Sequence, residues 1–586
     1  MTIDIGFAFL NDEITLIDVP GHEKFIKNMM AGASGIDAGL LVIAADDGVM
    51  PQTREHLDIL NIIGIKNLII ALNKIDISDD DWLELVKLDI MELISESNIP
   101  EAEIIPVSAI NNTGIKELGN ALIKLSQKQT SKTDRGVFRL PVDRVFTKHG
   151  FGTVITGTVE SGQLKKGDEI EILPSEKRVK VRGLQSHSKP VDTVKIGDRA
   201  AINLQSLSKS EVDRGFQITS PGFFKTTTQF GAYFTLMKTS KHNLKQNQRV
   251  RIHLGTMEVM GRITLLSSSF ISPGESVPVI ISLESPFVAA MGDKFIVRQY
   301  SPVTTIGGGH VLDAHINGTW SQKKEYIKAI NSKSDSIDFV QIISSQGMNP
   351  LDKKSIRFKF GKSDELLLTE FENRNEIQLL ENRGHRWLVT HNQLKFCKDK
   401  IHDILQQYQQ THPYKQGAVL EEIYQKTGGN AEYIDYVLEL MVQDNTIERT
   451  GEYWHTHGYK INLDHDQEKV YNLLLKKLNN EKFSSSSLSD LSNFVNQSAE
   501  LTKKLLEVGE ARGEIIRLTG TLLFTHQNFN LLKTDVVNFL KLKGSMSVSE
   551  FKDMAGTTRK YAVPLLEYFD KNRITFRDGN SRKLVS

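Results

Sequence analysis

Continuous apolar runs mark the first quarter of the chain: ITLI at 14–17, LLVIAA at 40–45, LIIAL at 68–72 and IIPV at 104–107. A strand that is apolar at every position is covered on both faces. These runs, with helix-length stretches such as 81–97 between them, therefore predict a parallel α/β sheet within a first domain at 1–133. From 134 the pattern changes to short alternating segments, rich in β-branched residues and broken by glycine, as in TVITGTVESGQL (153–164), VKVRGL (179–184) and DKFIVRQYS (293–301). That texture predicts antiparallel barrels, placed at 134–216 and 217–318.

Past 319 helical periodicity takes over and a long repeat emerges. Apolar or aromatic pairs close each unit after a short charged turn: Trp387 and Leu388, Tyr453 and Trp454, Leu523 and Phe524, Leu584 and Val585, at intervals of 67, 69 and 61 residues. Helices closed by a small hairpin describe a winged helix, and four are predicted, at 319–395, 396–460, 461–529 and 530–586. On spacing alone, a chance recurrence of apolar pairs is the alternative.

The 586 residues are 39% hydrophobic and 25% charged, values that exclude a disordered, collagenous or miniature disulfide-stapled chain. Cys397 is the single cysteine, which excludes an internal disulfide and any cysteine-cluster metal site. No stretch approaches the ~18 apolar residues of a membrane span. The opening MTIDIGFAFLNDEITL has neither the basic region nor the apolar core of a secretory signal, so a cytoplasmic protein with no membrane partner is expected. Residues 1–130 hold 9 Lys+Arg against 21 Asp+Glu, net −12, whereas 541–586 hold 10 against 5, net +5. Such polarity lets one end approach a polyanion.

Candidate chemistry lies at the carboxyl ends of the predicted strands, where open parallel sheets bind ligands. Asp18, Val19, Pro20 and Gly21 follow the first run; an Asp here holds magnesium through water, and a Gly amide can approach a terminal phosphate with no Cβ in the way. Asn73, Lys74, Ile75 and Asp76 follow LIIAL. A carboxylate can accept two hydrogen bonds from a guanine edge, a lysine stem can cover the base, and an Asn can brace the loop. Ser108 and Ala109 follow IIPV, where a tight turn can offer a backbone amide to the purine oxygen. Each element alone also suits a turn or a helix start. Together they stand in order, 55 and 35 residues apart.

With DVPGHEKF, ADDGVMPQTREHL, NKID and VSAI, the first domain resembles the translational GTPases. LPVDRVF (140–146) and GFGTVITGTVESGQLKKGDEIEI resemble the second-domain barrel of elongation-factor-like GTPases. RQYSPVTTIGGGHVLD (298–313) and EFKDMAGTTRKYAVPLLEYFDKNRITFRDGNSRKL (550–584) resemble the selenocysteine-specific elongation factors, which in bacteria end in four winged helices. The resemblance spans the chain, most clearly in 1–313 and at the end.

It implies a GTPase domain, two barrels and four winged helices, with GTP and magnesium as cofactors. It implies selenocysteyl-tRNA, a selenocysteine-insertion hairpin of messenger RNA and the ribosome as partners of a monomer. Thr2 would ligate magnesium and sense the terminal phosphate, Asp18 and Gly21 would serve magnesium and phosphate, and His22 would orient the attacking water. Asn73, Lys74, Asp76, Ser108 and Ala109 would hold guanine. Asp143, Arg144 and Arg199 would line a selenocysteyl pocket, the alternative being a barrel salt bridge and a surface arginine. Phe7 stands where another aromatic is expected to face that pocket. Arg559, Lys560, Tyr561, Arg573, Arg577, Arg582 and Lys583 would read RNA, the alternative being a solvated charged face.

One departure is large. The phosphate-cradling Gly-x-x-x-x-Gly-Lys-[Ser/Thr] occurs nowhere in the 586 residues, and Met1 aligns with an internal position of the family. The expectation is a truncated GTPase domain with an unpaired sheet edge and impaired GTP hydrolysis. A catalytically dead RNA-binding scaffold, a gene relic, or a fragment complemented by a separate phosphate-loop piece are the alternatives.

Overall fold

A computed structural model describes residues 6–10, 14–18, 36–97, 99, 102–127, 134–148, 152–186, 189–205, 207–330, 339–372, 374–484, 486–518 and 522–585. The predicted apolar runs form strands. β1 (Gly6–Leu10) and β2 (Ile14–Asp18) pair antiparallel. β3 (Gly39–Ala44), β4 (Leu68–Asn73) and β5 (Ala102–Pro106) form a separate parallel sheet in that order. β4 is central and buried almost throughout, which is why LIIAL carries no polar residue. Helices α1 (Pro51–Ile63), α2 (Asp80–Ser95) and α3 (Ile115–Gln127) join and cover these strands. Asp79 caps α2 by accepting from the Trp82 amide at 2.8 Å, and two acids follow in the first turn, where the helix dipole favours them. Among the described residues no ladder joins β2 to β3, and Val42, mid-strand in β3, is 59% exposed.

The first barrel domain runs its main sheet through strands at 139–141, 217–219, 169–173, 177–186, 199–204, 152–158 and 144–148 around one hydrophobic core, mostly aliphatic with Phe138 among it. The second is a closed six-stranded barrel, at 226–236, 276–288, 257–265, 248–254, 294–299 and 305–313. Gly308 in its last strand lets α1 of the first domain approach: a Cβ there would sit 2.5 Å from Ile62 and 2.4 Å from the Phe295 carbonyl oxygen. Thr239 donates to Asp58 at 2.8 Å and the Thr305 amide to Glu55 at 3.2 Å, so α1 is fixed to the barrel.

The helical third repeats one plan: helix, short strand, two helices, hairpin. The hairpins are 377–382 with 385–390, 447–450 with 453–456, 515–517 with 523–525, and 575–578 with 581–584. Trp387, Trp454 and Phe524 are buried on them, as the repeat spacing predicted. In three of the repeats the short first strand joins the hairpin in a three-stranded sheet; in the third only the hairpin is formed among the described residues.

The chain divides into two compact units, residues 1–346 with 350–393, and residues 347–349 with 394–586. The first winged helix thus belongs with the barrels. The Lys359 ammonium reaches the fully buried Asp313 carboxylate, to which the Tyr326 hydroxyl also donates at 2.6 Å. Arg135 donates to the Phe360 carbonyl oxygen at 3.1 Å and to Asp293 at 3.0 Å, while Arg139 grips both Asp293 oxygens at 2.7 Å. Buried charges persist only when paired in this way.

Candidate guanine, aminoacyl and RNA sites

Parallel pairing brings the loops after β3, β4 and β5 to one end of the sheet. Leu72 stands opposite Pro106, and the Val107 amide donates to the Leu72 carbonyl oxygen at 2.8 Å. Asn73, the last residue of β4, accepts at its Oδ1 from the Ala109 amide at 3.3 Å, so the NKID and SAI segments meet. Ser108 is buried and accepts from the Asn111 amide at 3.2 Å, shaping the turn rather than facing out. Lys74 lies in the left-handed region, with φ 66°, and Asp76 beyond it is exposed.

The Lys74 ammonium donates to both oxygens of Asp46, at 2.7 and 2.9 Å. This bond holds the Asp46 carboxyl below its ordinary range and raises the lysine. The Trp82 indole donates to the Ala45 carbonyl oxygen at 2.8 Å and braces the same loop. Sequence reasoning missed Asp46 and Trp82. The acidic ADDG segment was a signal, but nothing local pointed to a partner 28 residues away.

An exposed carboxylate, a tethered lysine stem and a turn amide suit a guanine base. For magnesium the described residues supply Asp18, exposed at the end of β2, and no group of three metal-binding side chains occurs among them. Thr2, Gly21 and His22 lie outside the described residues, as does the Phe7 side chain.

On the first barrel, Asp143 pairs with Arg199 rather than standing as a unit with its neighbour Arg144. The Arg199 guanidinium donates to Asp143, and the Thr156 hydroxyl donates to the other carboxylate oxygen at 2.6 Å. Asp143 is 7% exposed, while the Arg199 side chain keeps 22% of its surface. Strand pairing sets Arg144 opposite Thr156 and Arg199 opposite Thr158, so these side chains share one outer, half-exposed face. Arg199 is therefore anchored, not a loose surface arginine.

In the last winged helix, Arg559 and Lys560 stand exposed at the start of the helix Arg559–Lys571, with the Lys560 ammonium 5.2 Å from the Tyr561 ring centroid. No acid occupies that first turn and no side chain caps it; two cations beside the positive helix end are unfavourable unless an anion joins them. Arg573 turns the chain with φ 55°, Arg577 caps the wing turn through the Gly579 carbonyl oxygen at 3.1 Å, and Lys583 pairs with Asp578 at 2.7 Å. All three are exposed. Arg582 corrects the sequence expectation. It is 5% exposed and donates to Asp570 at 3.3 Å, anchoring the wing to the helix instead of facing RNA. In the wing, alternate residues turn inward, and Arg582 falls on the buried side.

Comparison with known proteins follows the same order of domains. Residues 2–128 match the Elongation factor Tu GTP binding domain and 152–219 match Elongation factor Tu domain 2. Residues 232–317 match the beta-barrel domain of the selenocysteine-specific elongation factor, and 402–455 and 538–584 match winged helices of elongation factor SelB. The selenocysteine-specific elongation factor of Desulfomicrobium baculatum is 31% identical over 602 residues, covering all of this chain and 94% of that protein. That of Escherichia coli (strain K12) is 26% identical over 599 residues, covering all of this chain and 93% of that protein. A crystal structure of a bacterial selenocysteine-specific elongation factor, EF-Sec, superposes with a TM-score of 0.61 at 26% identity, over all of this chain and 93% of the other. The chain belongs to the family of selenocysteine-specific translation elongation factors.

Proposed function

We propose that this protein carries selenocysteyl-tRNA to the ribosome at UGA codons in a GTP-dependent manner, while its last winged helix holds a hairpin of the same messenger RNA. The observation that carries the reading is the conjunction, in one chain, of a guanine corner at Asn73 and Ala109 and an anchored arginine on the first barrel. A selenol is more acidic than a thiol or hydroxyl and is largely anionic at neutral pH. A guanidinium fork can bind a carboxylate along one edge and an anion along another, so Arg199 supports discrimination against serine. GTP and magnesium are the proposed cofactors, with Asp18 and Thr2 as metal residues and His22 orienting water. The cytoplasm is the proposed location and a monomer the working form.

Protection of the aminoacyl ester from hydrolysis tests this directly. Selenocysteyl-tRNA, but not seryl-tRNA, should be deacylated more slowly in the presence of the protein and GTP; equal rates for both overturn the proposal. A second reading, an RNA-binding scaffold without nucleotide turnover, is favoured by the absence of Gly-x-x-x-x-Gly-Lys-[Ser/Thr] from the sequence. Hairpin binding that persists with no GTP-dependent protection selects it.

A further inference from the structure

The wing of the last winged helix presents a residue that the sequence motifs do not single out. Phe576 lies in the strand Thr575–Asp578, directly opposite Lys583, and is 46% exposed. Its neighbours in the alternation turn the other way: Thr575 is 1% exposed and Arg582, opposite Arg577, is buried. The outer face of the wing therefore carries Phe576, Asp578, Ser581 and Lys583.

The second winged helix supplies an internal control. Its hairpin, Ile447–Thr450 with Tyr453–Thr456, has the same register and the same two-residue turn. Arg449 donates to the Gly451 carbonyl oxygen at 3.0 Å, as Arg577 does to that of Gly579 at 3.1 Å. At the position of Phe576 that wing carries Glu448, opposite His455, with a carboxylate oxygen 2.6 Å from the His457 Nδ1. One scaffold with one turn cap thus folds with a solvated acid at this place, so the hairpin does not need an aromatic ring there. In the last wing the acid is replaced by an exposed ring, and the residue opposite by a lysine. Lys571, Arg573 and Arg577 are exposed in the same segment. Cations bind phosphates, an exposed ring stacks on bases, and the combination is that of a surface for unpaired nucleotides. The same charges oppose docking of a second copy through this face.

We propose that Phe576 is a stacking platform for one unpaired base of the RNA hairpin, with Lys583 leaving its exposed pair with Asp578 to meet a phosphate. The proposal rests on the RNA reading given above and adds the residue that senses a base at that site.

The test uses the full chain and an RNA library with a short fixed stem and a randomised loop. The most enriched hairpin is resynthesised with an abasic site at each loop position in turn. At one position the abasic change should weaken the wild type about tenfold or more, the effect of losing one stacked base. Phe576→Leu should bind the intact hairpin as weakly as the wild type binds that abasic one, and should lose little further there. Phe576→Trp should bind as the wild type, and equal melting temperatures exclude a folding defect. Identical abasic penalties in the wild type and Phe576→Leu, or binding by anionic vesicles at this wing in place of RNA, overturn the platform while leaving the RNA reading to its own test. Failure of any loop sequence to enrich overturns the RNA reading, and the platform with it.

Discussion

The ammonium of Lys74 lies 2.7 and 2.9 Å from the two carboxylate oxygens of Asp46, tying the loop after β4 to the loop after β3. Both groups are solvent-exposed, so the pair adds little to the stability of the fold. What it fixes is the path of the lysine stem, set by the left-handed backbone at residue 74, across the end of the sheet. Asp46→Ala should leave the melting temperature unchanged and weaken guanosine and GDP binding several-fold in calorimetric titration. Unaltered binding would show that the stem needs no tether.

Asp76 should decide which base is bound. A carboxylate accepts two hydrogen bonds from the guanine edge, whereas an amide offers one acceptor and one donor group. Asp76→Asn should lose guanosine binding by roughly 1.5–3 kcal/mol, the worth of a charge-assisted hydrogen bond, and gain xanthosine binding. Calorimetric titration with guanosine and xanthosine measures the change, and unaltered guanosine binding by Asp76→Asn would contradict the assignment.

Arg199→Ala removes a charge that Asp143 and Thr156 hold in place. It should reduce the preference for selenocysteyl- over seryl-tRNA by about tenfold or more, as expected for a lost ionic hydrogen bond. Arg199→Lys should restore only part, since an ammonium lacks the planar fork. An unchanged ratio in the deacylation assay would return Arg199 to a structural role.

The buried cluster that joins the second barrel to the first winged helix should make this unit sensitive to acid. Burial holds the His315 imidazole down to about 4; Asp313 opposes the shift, while Lys359 and Lys225 add to it. For Asp313 burial acts upward, but Lys359 and Tyr326 outweigh it and keep the carboxyl below its usual value. The unfolded chain protonates its histidine near pH 6.5 and the folded chain only near 4, so the contribution of His315 is complete above pH 6.5. It falls by about 3 kcal/mol as the pH drops to 4. Asp313 adds a further loss only below its unfolded value of about 3.9. His315→Gln should flatten the decline in melting temperature between pH 7 and 4. Lys359→Met should cost about 3–5 kcal/mol at neutral pH, because it strands the Asp313 charge; scanning calorimetry of the full chain measures both.

Arg559 and Lys560 should contribute to RNA affinity through phosphates. Replacing either by Ala should lower the log–log salt slope of hairpin binding by about 0.7–0.9 for each phosphate no longer neutralised, with little change in loop preference. A relaxed loop preference at constant slope would instead make the residue a base reader. Arg582→Ala should act differently, lowering the stability of the last winged helix, because its partner Asp570 is left behind.

Much of the architecture was legible in the chain, because burial on both faces imposes continuous apolar runs and a repeated hairpin imposes a repeated aromatic pair. β4 became the central strand as LIIAL required, and the intervals between Trp387, Tyr453 with Trp454, and Phe524 marked successive wings. The strand-end segments at 73–76 and 108–109 were legible for a related reason, since each sits where an apolar run stops. Side-chain partners were not legible, because a hydrogen bond forms between groups that strand register and domain packing bring together across the chain. Only that packing decided that Lys74 would meet Asp46, that Asp143 would choose Arg199 over the adjacent Arg144, and that Lys359 would be buried against Asp313. Arg582 and Phe576 show the same division at the scale of one hairpin. The sequence placed a basic and an aromatic residue in the wing, and the pleat turned the arginine inward to Asp570 and left the ring in solvent.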